Sequence, residues 1–133
     1  MLKALAQYIE NNTTLVIGDD LFPGYRPSNA PVECVALYER SGENRSFTLR
    51  DKRDVPVQFV SRSDDYYVAR DWLAALITLL HGQCAYDLPV VVSGEALHIA
   101  ASEILSGPVY MGQDEKGNHE FSLNVLFRVQ DAI

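Results

Sequence analysis

The chain has 133 residues, 47% of them hydrophobic, and carries a formal net charge of −7. That length and composition describe one folded domain, placed at residues 1–133, with a core large enough to need no disulfide staples, and they exclude a disordered chain. The negative balance argues against a protein that holds nucleic acid by neutralising phosphates.

Leu2, Leu5, Ala6 and Ile9 form a short apolar stripe at helical spacing, which predicts a first helix over residues 2–10, ended by Asn11-Asn12. Residues 15–17 are a brief apolar run before Gly18-Asp19-Asp20. The segment 21–31 contains Pro23, Pro27 and Pro31, so it is neither helix nor central strand. It is expected to be a structured loop pinned by Phe22 and Tyr25.

Residues 32–39 read as a strand with Cys34, Ala36 and Tyr38 on one face and Val35 and Leu37 on the other, covered on both sides. A turn follows at 41–44, then a short edge strand at 46–50 and a solvated charged loop at 50–54. Residues 55–62 alternate as a strand, and Pro56 places it near an edge or at a strand start.

Residues 64–81 are the one long segment with a clean helical period. Ala69, Trp72, Leu73, Leu76, Leu79 and Leu80 share a stripe, while Tyr67, Asp71, Ala74 and Thr78 lie opposite. Asp64 is the expected N-cap and Gly82 the C′ residue. Burying each large apolar side chain of the stripe contributes about 1.5–3 kcal/mol, so the strands should pack on it, with Trp72 at the centre of the contact. The alternative for Trp72 is a binding surface.

After Gly82, residues 88–93 are apolar and β-branched, predicting a strand, and Gly94-Glu95 a turn. Residues 97–105 follow, read as a strand with a short helix as the alternative, broken by Ser106-Gly107-Pro108. A polar hairpin loop spans 113–118. The final strand, 119–130, alternates most clearly: Phe121, Leu123, Val125, Phe127 and Val129 inward, Ser122, Asn124, Arg128 and Gln130 outward. The order gives an α+β fold, a two-layer domain in which a mostly antiparallel β-sheet packs against one long and one short α-helix.

The segments that could carry chemistry are sparse. No apolar run approaches the roughly 20 residues of a membrane span. The start Met1-Leu2-Lys3-Ala4 lacks an export signal, so the chain is expected to fold in the cytoplasm. Cys34 and Cys84 are expected to be buried free thiols, with a disulfide or redox pair as the alternative. His81 and Cys84 are too few for a structural metal site, and no metal or cofactor is expected. The acidic pairs Asp19-Asp20, Asp64-Asp65 and Asp114-Glu115 read as loop, helix start and hairpin tip. A Cys/His nucleophile from Cys34 or Cys84 with His81, His98 or His119 has no spacing in its favour. No catalytic residue is assigned.

The stretch Leu21-Phe22-Pro23-Gly24-Tyr25-Arg26-Pro27, the strand end Leu37-Tyr38-Glu39-Arg40-Ser41-Gly42, and the junction from Val57-Gln58-Phe59-Val60-Ser61-Arg62 into Tyr66-Tyr67-Val68-Ala69-Arg70 resemble the bacteriophage minor capsid, or tail terminator, proteins of long-tailed phages. The closing run from Gly107 to Asn118, with Phe121-Ser122-Leu123-Asn124 after it, is similar to that family's last hairpin.

The resemblance implies a virion structural protein of the tail, assembled in the host cytoplasm and not an enzyme. It implies a ring of identical subunits, commonly a hexamer, that caps the tail tube, stops its polymerisation and offers a head-joining surface. The implied partners are the major tail tube protein and head–tail connector proteins, with DNA passing through the lumen unbound and no membrane involved. A lumen lined by Arg26, Arg45, Arg50 and Arg53 would contradict that passage. Exposure makes Phe22, Tyr25 and Arg26 in one loop, and Arg50, Lys52 and Arg53 in another, the expected interface residues. A neck or head-completion connector is the alternative role, and a small Cys/His enzyme a more distant one.

Overall fold

The computed structural model describes residues 1–40, 44–45 and 52–131. Among the described residues two helices, α1 (Leu2–Asn12) and α2 (Tyr66–Leu80), accompany seven strands: β1 (Leu21–Pro23), β2 (Cys34–Glu39), β3 (Asn44–Arg45), β4 (Lys52–Ser63), β5 (Cys84–Asp87), β6 (Leu97–Gln113) and β7 (His119–Asp131). The fold is α+β with one mixed sheet, ordered β1-β2-β4-β7-β6-β5, and β3 pairs with β4 beside this path. Among the described residues β1–β2 is the parallel strand pair, and the other strand pairs are antiparallel.

Helix α2 forms because its apolar residues recur every three or four positions. Ala69, Leu73, Leu76 and Leu80 are fully buried, while Trp72 and Leu79 are only partly covered. Trp72 therefore flanks the contact and Leu73 and Leu76 lie at its centre, a correction to the sequence expectation. The N-cap is Asp65 and not Asp64. The Ser63 hydroxyl accepts the Asp65 N–H at 3.1 Å, and this turn uses up Asp64 before the helix starts. Asp65 Oδ1 then accepts the N–H groups of Tyr67 and Val68, two of the donors a helix start leaves open. At the other end His81 is the C-cap and Gly82 follows at φ +72°, the left-handed position glycine takes without strain.

Alternation in β4 and β7 supplies the facing surface. Val55, Val57, Phe59, Leu123, Val125 and Phe127 are all buried in one cluster with the stripe of α2 and with Leu5 and Ile9 of α1. The Ser61 hydroxyl donates to the Ala69 carbonyl at 2.8 Å, tying β4 to α2 inside that core. Beyond α2, Tyr86 donates to Ser102 at 2.9 Å and Ser102 donates to the Leu80 carbonyl at 2.6 Å. This relay satisfies a carbonyl in the last turn of α2, and burial pushes the Tyr86 phenol up to about 12.

Several strand assignments change. Residues 21–23 form an edge strand and not a loop, with Pro23 at its end. Strand β4 is central and starts at Lys52, although Pro56 suggested an edge or a strand start. The Arg40 N–H donates to the Pro56 carbonyl at 3.2 Å. A residue's N–H and C=O face the same neighbour in an antiparallel ladder, so the donor proline lacks would point where the β2 pairing has already ended at Glu39↔Val57.

Residues 88–93 are irregular and the strand lies earlier, at Cys84–Asp87. Leu88 makes the last ladder-like bond, to Leu97, and Pro89 then removes a donor. Ser106-Gly107-Pro108 does not break β6. The strand passes through it with register shifts on either side. Gly107 has φ +110°, and a Cβ there would sit 2.6 Å from the Ser122 carbonyl oxygen, so glycine is needed for the close approach to β7. The predicted turn at 41–44 lies outside the described residues but for Asn44, and the predicted edge strand at 46–50 lies wholly outside them.

Truncating Leu76 to Ala should cost about 2–5 kcal/mol in denaturant unfolding, against a change within about 0.5 kcal/mol for Thr78→Ala on the exposed side of α2.

Candidate functional site

The residues singled out from the sequence do not converge. Phe22 is 7% exposed and packs with Cys34 and Ala36 on the sheet face that does not meet the helices. It anchors the loop. Tyr25 is 71% exposed, lifted by Gly24, whose N–H donates to the Leu37 carbonyl at 2.8 Å while φ is +98°.

Arg26 folds back over the sheet. Its Nη2 lies 3.6 Å from Glu120 Oε1. It stands over a transverse row of register partners, Cys34 on β2, Arg62 on β4 and Glu120 on β7. Arg62 in turn donates to the Val32 and Pro31 carbonyls at 3.0 and 2.8 Å. Burial pushes the Cys34 thiol up, and the charges of Arg62 and Arg26 partly offset that. Arg26 is thus a strut between the β1–β2 loop and β7.

Lys52 and Arg53 open β4 at the opposite end of the same strand from Arg62, roughly 30 Å away at about 3.3 Å per residue. Lys52 is exposed and Arg53 half-buried. Arg50 lies outside the described residues. Lys52, Arg53 and Asp54, expected in a solvated charged loop, are thus the start of a strand, at the opposite end of the sheet from Arg26.

The thiols also separate. Both are free, Cys34 buried and Cys84 exposed on the edge strand β5, so the expectation of two buried thiols holds for Cys34 alone. Each histidine uses Nδ1 elsewhere. His81 accepts from the Ile104 N–H at 3.3 Å, His98 meets Asp87 at 2.7 Å and His119 meets the Tyr110 hydroxyl at 2.9 Å. Among the described residues no group of three His, Cys, Asp or Glu side chains is placed to hold a metal ion, and no helix is long and apolar enough to cross a membrane.

The outer sheet face carries rows of mixed polarity instead. Asn124 donates to Ser106 at 3.0 Å, and Arg128 stands 4.0 Å from Glu103. At the hairpin tip Asp114 accepts the N–H groups of Lys116 and Asn118, both at 2.9 Å. Those bonds, the Asn118 N–H foremost, hold its carboxyl below the ordinary range.

Sequence reasoning missed the two most apolar exposed segments. Val90, Val91 and Val92 are 63, 42 and 42% exposed, and Leu105, Val109, Tyr110 and Met111 are 53, 49, 42 and 52% exposed. The first was read as a strand, and the second as a strand end at Leu105, a break at Ser106-Gly107-Pro108 and the start of the closing hairpin. The absence of any charge from either segment was the available signal.

A family model described as bacteriophage tail terminator protein matches residues 8–131 of the chain. No curated protein matches it.

Because Phe22 is an anchor and Tyr25 is not, Phe22→Ala should lower stability by about 3–5 kcal/mol and Tyr25→Ala by less than about 0.5 kcal/mol. Denaturant melts of the two variants check this, and an equal loss in both would contradict the placement of the loop.

Proposed function

The chain belongs to the bacteriophage tail terminator family, a family of phage structural proteins, and we propose that it forms a ring, a hexamer, on the head-proximal end of the tail tube. The ring stops further addition of tube subunits and presents a surface to the head–tail connector. The match over residues 8–131 carries this reading. The main core cluster draws residues from Ala4 through to Val129, which supports treating residues 1–133 as one domain in that role.

A ring needs a heterologous contact whose rotation closes. Growth ends when one ring face copies what a tube subunit binds and the other face lacks the next site. Tyr25 at one end of the sheet and Lys52 and Arg53 at the other suit two different partners, tube and connector, better than one shared contact. Arg50 belongs with Lys52 in this proposal, and Phe22 and Arg26 contribute by holding the Tyr25 loop in place. The virion tail is then the site of action, after assembly in the host cytoplasm.

The net charge of −7 per copy supports a lumen through which DNA moves without being held, since phosphates are gripped only by surfaces that replace their counterions. Purified protein should not retard duplex DNA even at low salt. A retarded complex that dissolves as salt rises would overturn this part of the proposal.

Electron microscopy of particles made without this gene tests the main claim. Overlong tubes of variable length are expected, and Arg53→Glu supplied in trans should fail to restore normal tails where wild type succeeds. Tails of normal length beside unattached heads would mean a neck protein instead. Normal virions would remove both roles.

A further inference from the structure

Strand β6 is far longer than the strand outside it. Strand β5 pairs with β6 only at Cys84↔Ala101, Tyr86↔Ile99 and Asp87↔His98. Past it, Ser102 exchanges bonds with Gly82 and Gln83, and the Ile104 N–H reaches His81. From residue 105 to residue 112, no described residue pairs with the outer edge of β6. A row of open backbone groups roughly 20 Å long, at about 3.3 Å per residue, is left there.

Such edges are usually blunted by charge, since they template pairing with another chain. This one carries no charged residue from Ile104 to Gln113. Pro108 lies within the register shift between Ser106 and Val109, an irregularity at which a strand tolerates proline.

The same chain holds a segment with the opposite deficit. Residues 90–92 are three successive valines with high strand propensity and no strand beside them. Among the described residues no hydrogen bond reaches their N–H groups; only the Val92 carbonyl is used, by the Glu95 N–H in a turn. This segment, too, is uncharged from Leu88 to Gly94. Of the twelve large apolar side chains exposed among the described residues, seven lie on these two segments.

We propose that the open edge of β6 in one copy takes up the Val90–Val92 segment of a second copy as an added strand. The occupant follows from charge. Each copy carries −7, so a contact between copies is favoured where neither surface contributes charge, and both segments meet that condition. The two surfaces differ and lie on different parts of the chain, so the contact is head-to-tail and propagates into a ring or filament in place of a closed twofold dimer. Backbone bonds would give affinity, and the side chains of Leu105, Val109 and Met111 would select the alternating valines. This inference rests on the ring reading above and supplies its subunit contact.

The test uses the intact protein in sedimentation equilibrium, with circular dichroism confirming each fold. Wild type should assemble beyond the dimer as concentration rises. Leu105→Lys and Met111→Lys should each remain monomeric where wild type assembles, and so should Val90→Lys. Mixing Leu105→Lys with Val90→Lys in equal amounts should give a dimer and nothing larger, because only one undamaged pairing is left between them.

A wild type that stays monomeric up to millimolar concentration overturns the proposal. So does assembly by Val90→Lys at wild-type concentrations, which would mean that two β6 edges pair with each other, or assembly by both edge variants. A monomeric wild type that binds purified tail tubes, with binding lost in the edge variants, would assign the edge to a tube subunit. Any of these leaves the tail-length result standing, and a normal tail length leaves the sedimentation result standing.

Discussion

The burial of one stripe of α2 against β4 and β7 fixes almost everything else. Leu73 and Leu76 cannot leave water unless a sheet face with Phe59, Leu123, Val125 and Phe127 is there to meet them. With side chains alternating along each strand, that choice commits the odd-numbered positions of β4 and β7 to the core and turns Gln58, Asn124 and Arg128 outward. A register slip of one residue would exchange the two sets. Polar bonds then hold the ends of α2: Ser61 to Ala69 within the packed face, Asp65 at the start, and Tyr86 through Ser102 to Leu80 at the finish.

What α2 and its sheet leave uncovered is as informative as what they bury. The second half of β6 runs past the end of β5, and the chain between these two strands emerges as bare valines. Register shifts between Ile104 and Ser106, Ser106 and Val109, and Tyr110 and Gly112 add local twist. Twist and proline make the edge a poor template for indiscriminate stacking, yet they leave it apolar. A chain that had only to stay monomeric would more simply place a lysine there.

The sequence was most legible where one local signal ran long enough to outvote its neighbours. The alternation from Phe121 to Val129 and the helical period from Ala69 to Leu80 both produced the element expected. It misled where a residue reports its own backbone but not who stands beside it. Pro56 removes one donor from a central strand at the point where its neighbour has ended, and Gly107-Pro108 bends a strand without stopping it. Residues 90–92 have strand propensity but pair with no strand among the described residues. The family emerged from the order of weak turn and strand motifs along the chain. The arrangement of the first loop was not legible, because a loop rich in prolines looks exposed throughout, whereas Phe22 and Arg26 turn back onto the sheet and Tyr25 points away.

Charge sets the terms on which copies of this protein meet. At physiological ionic strength screening extends over about 8 Å, so surfaces in contact still feel each other's charges while distant ones do not. Hairpin acids such as Asp114 and the exposed Asp64 and Asp65 at the start of α2 make most orientations of two copies repulsive at contact. An uncharged edge and an uncharged segment then act as specificity elements as much as adhesive ones, since they are where approach is not opposed. The negative charge that keeps DNA from being held also restricts where subunits touch, and a long-lived contact under that restriction must draw on backbone pairing and apolar burial.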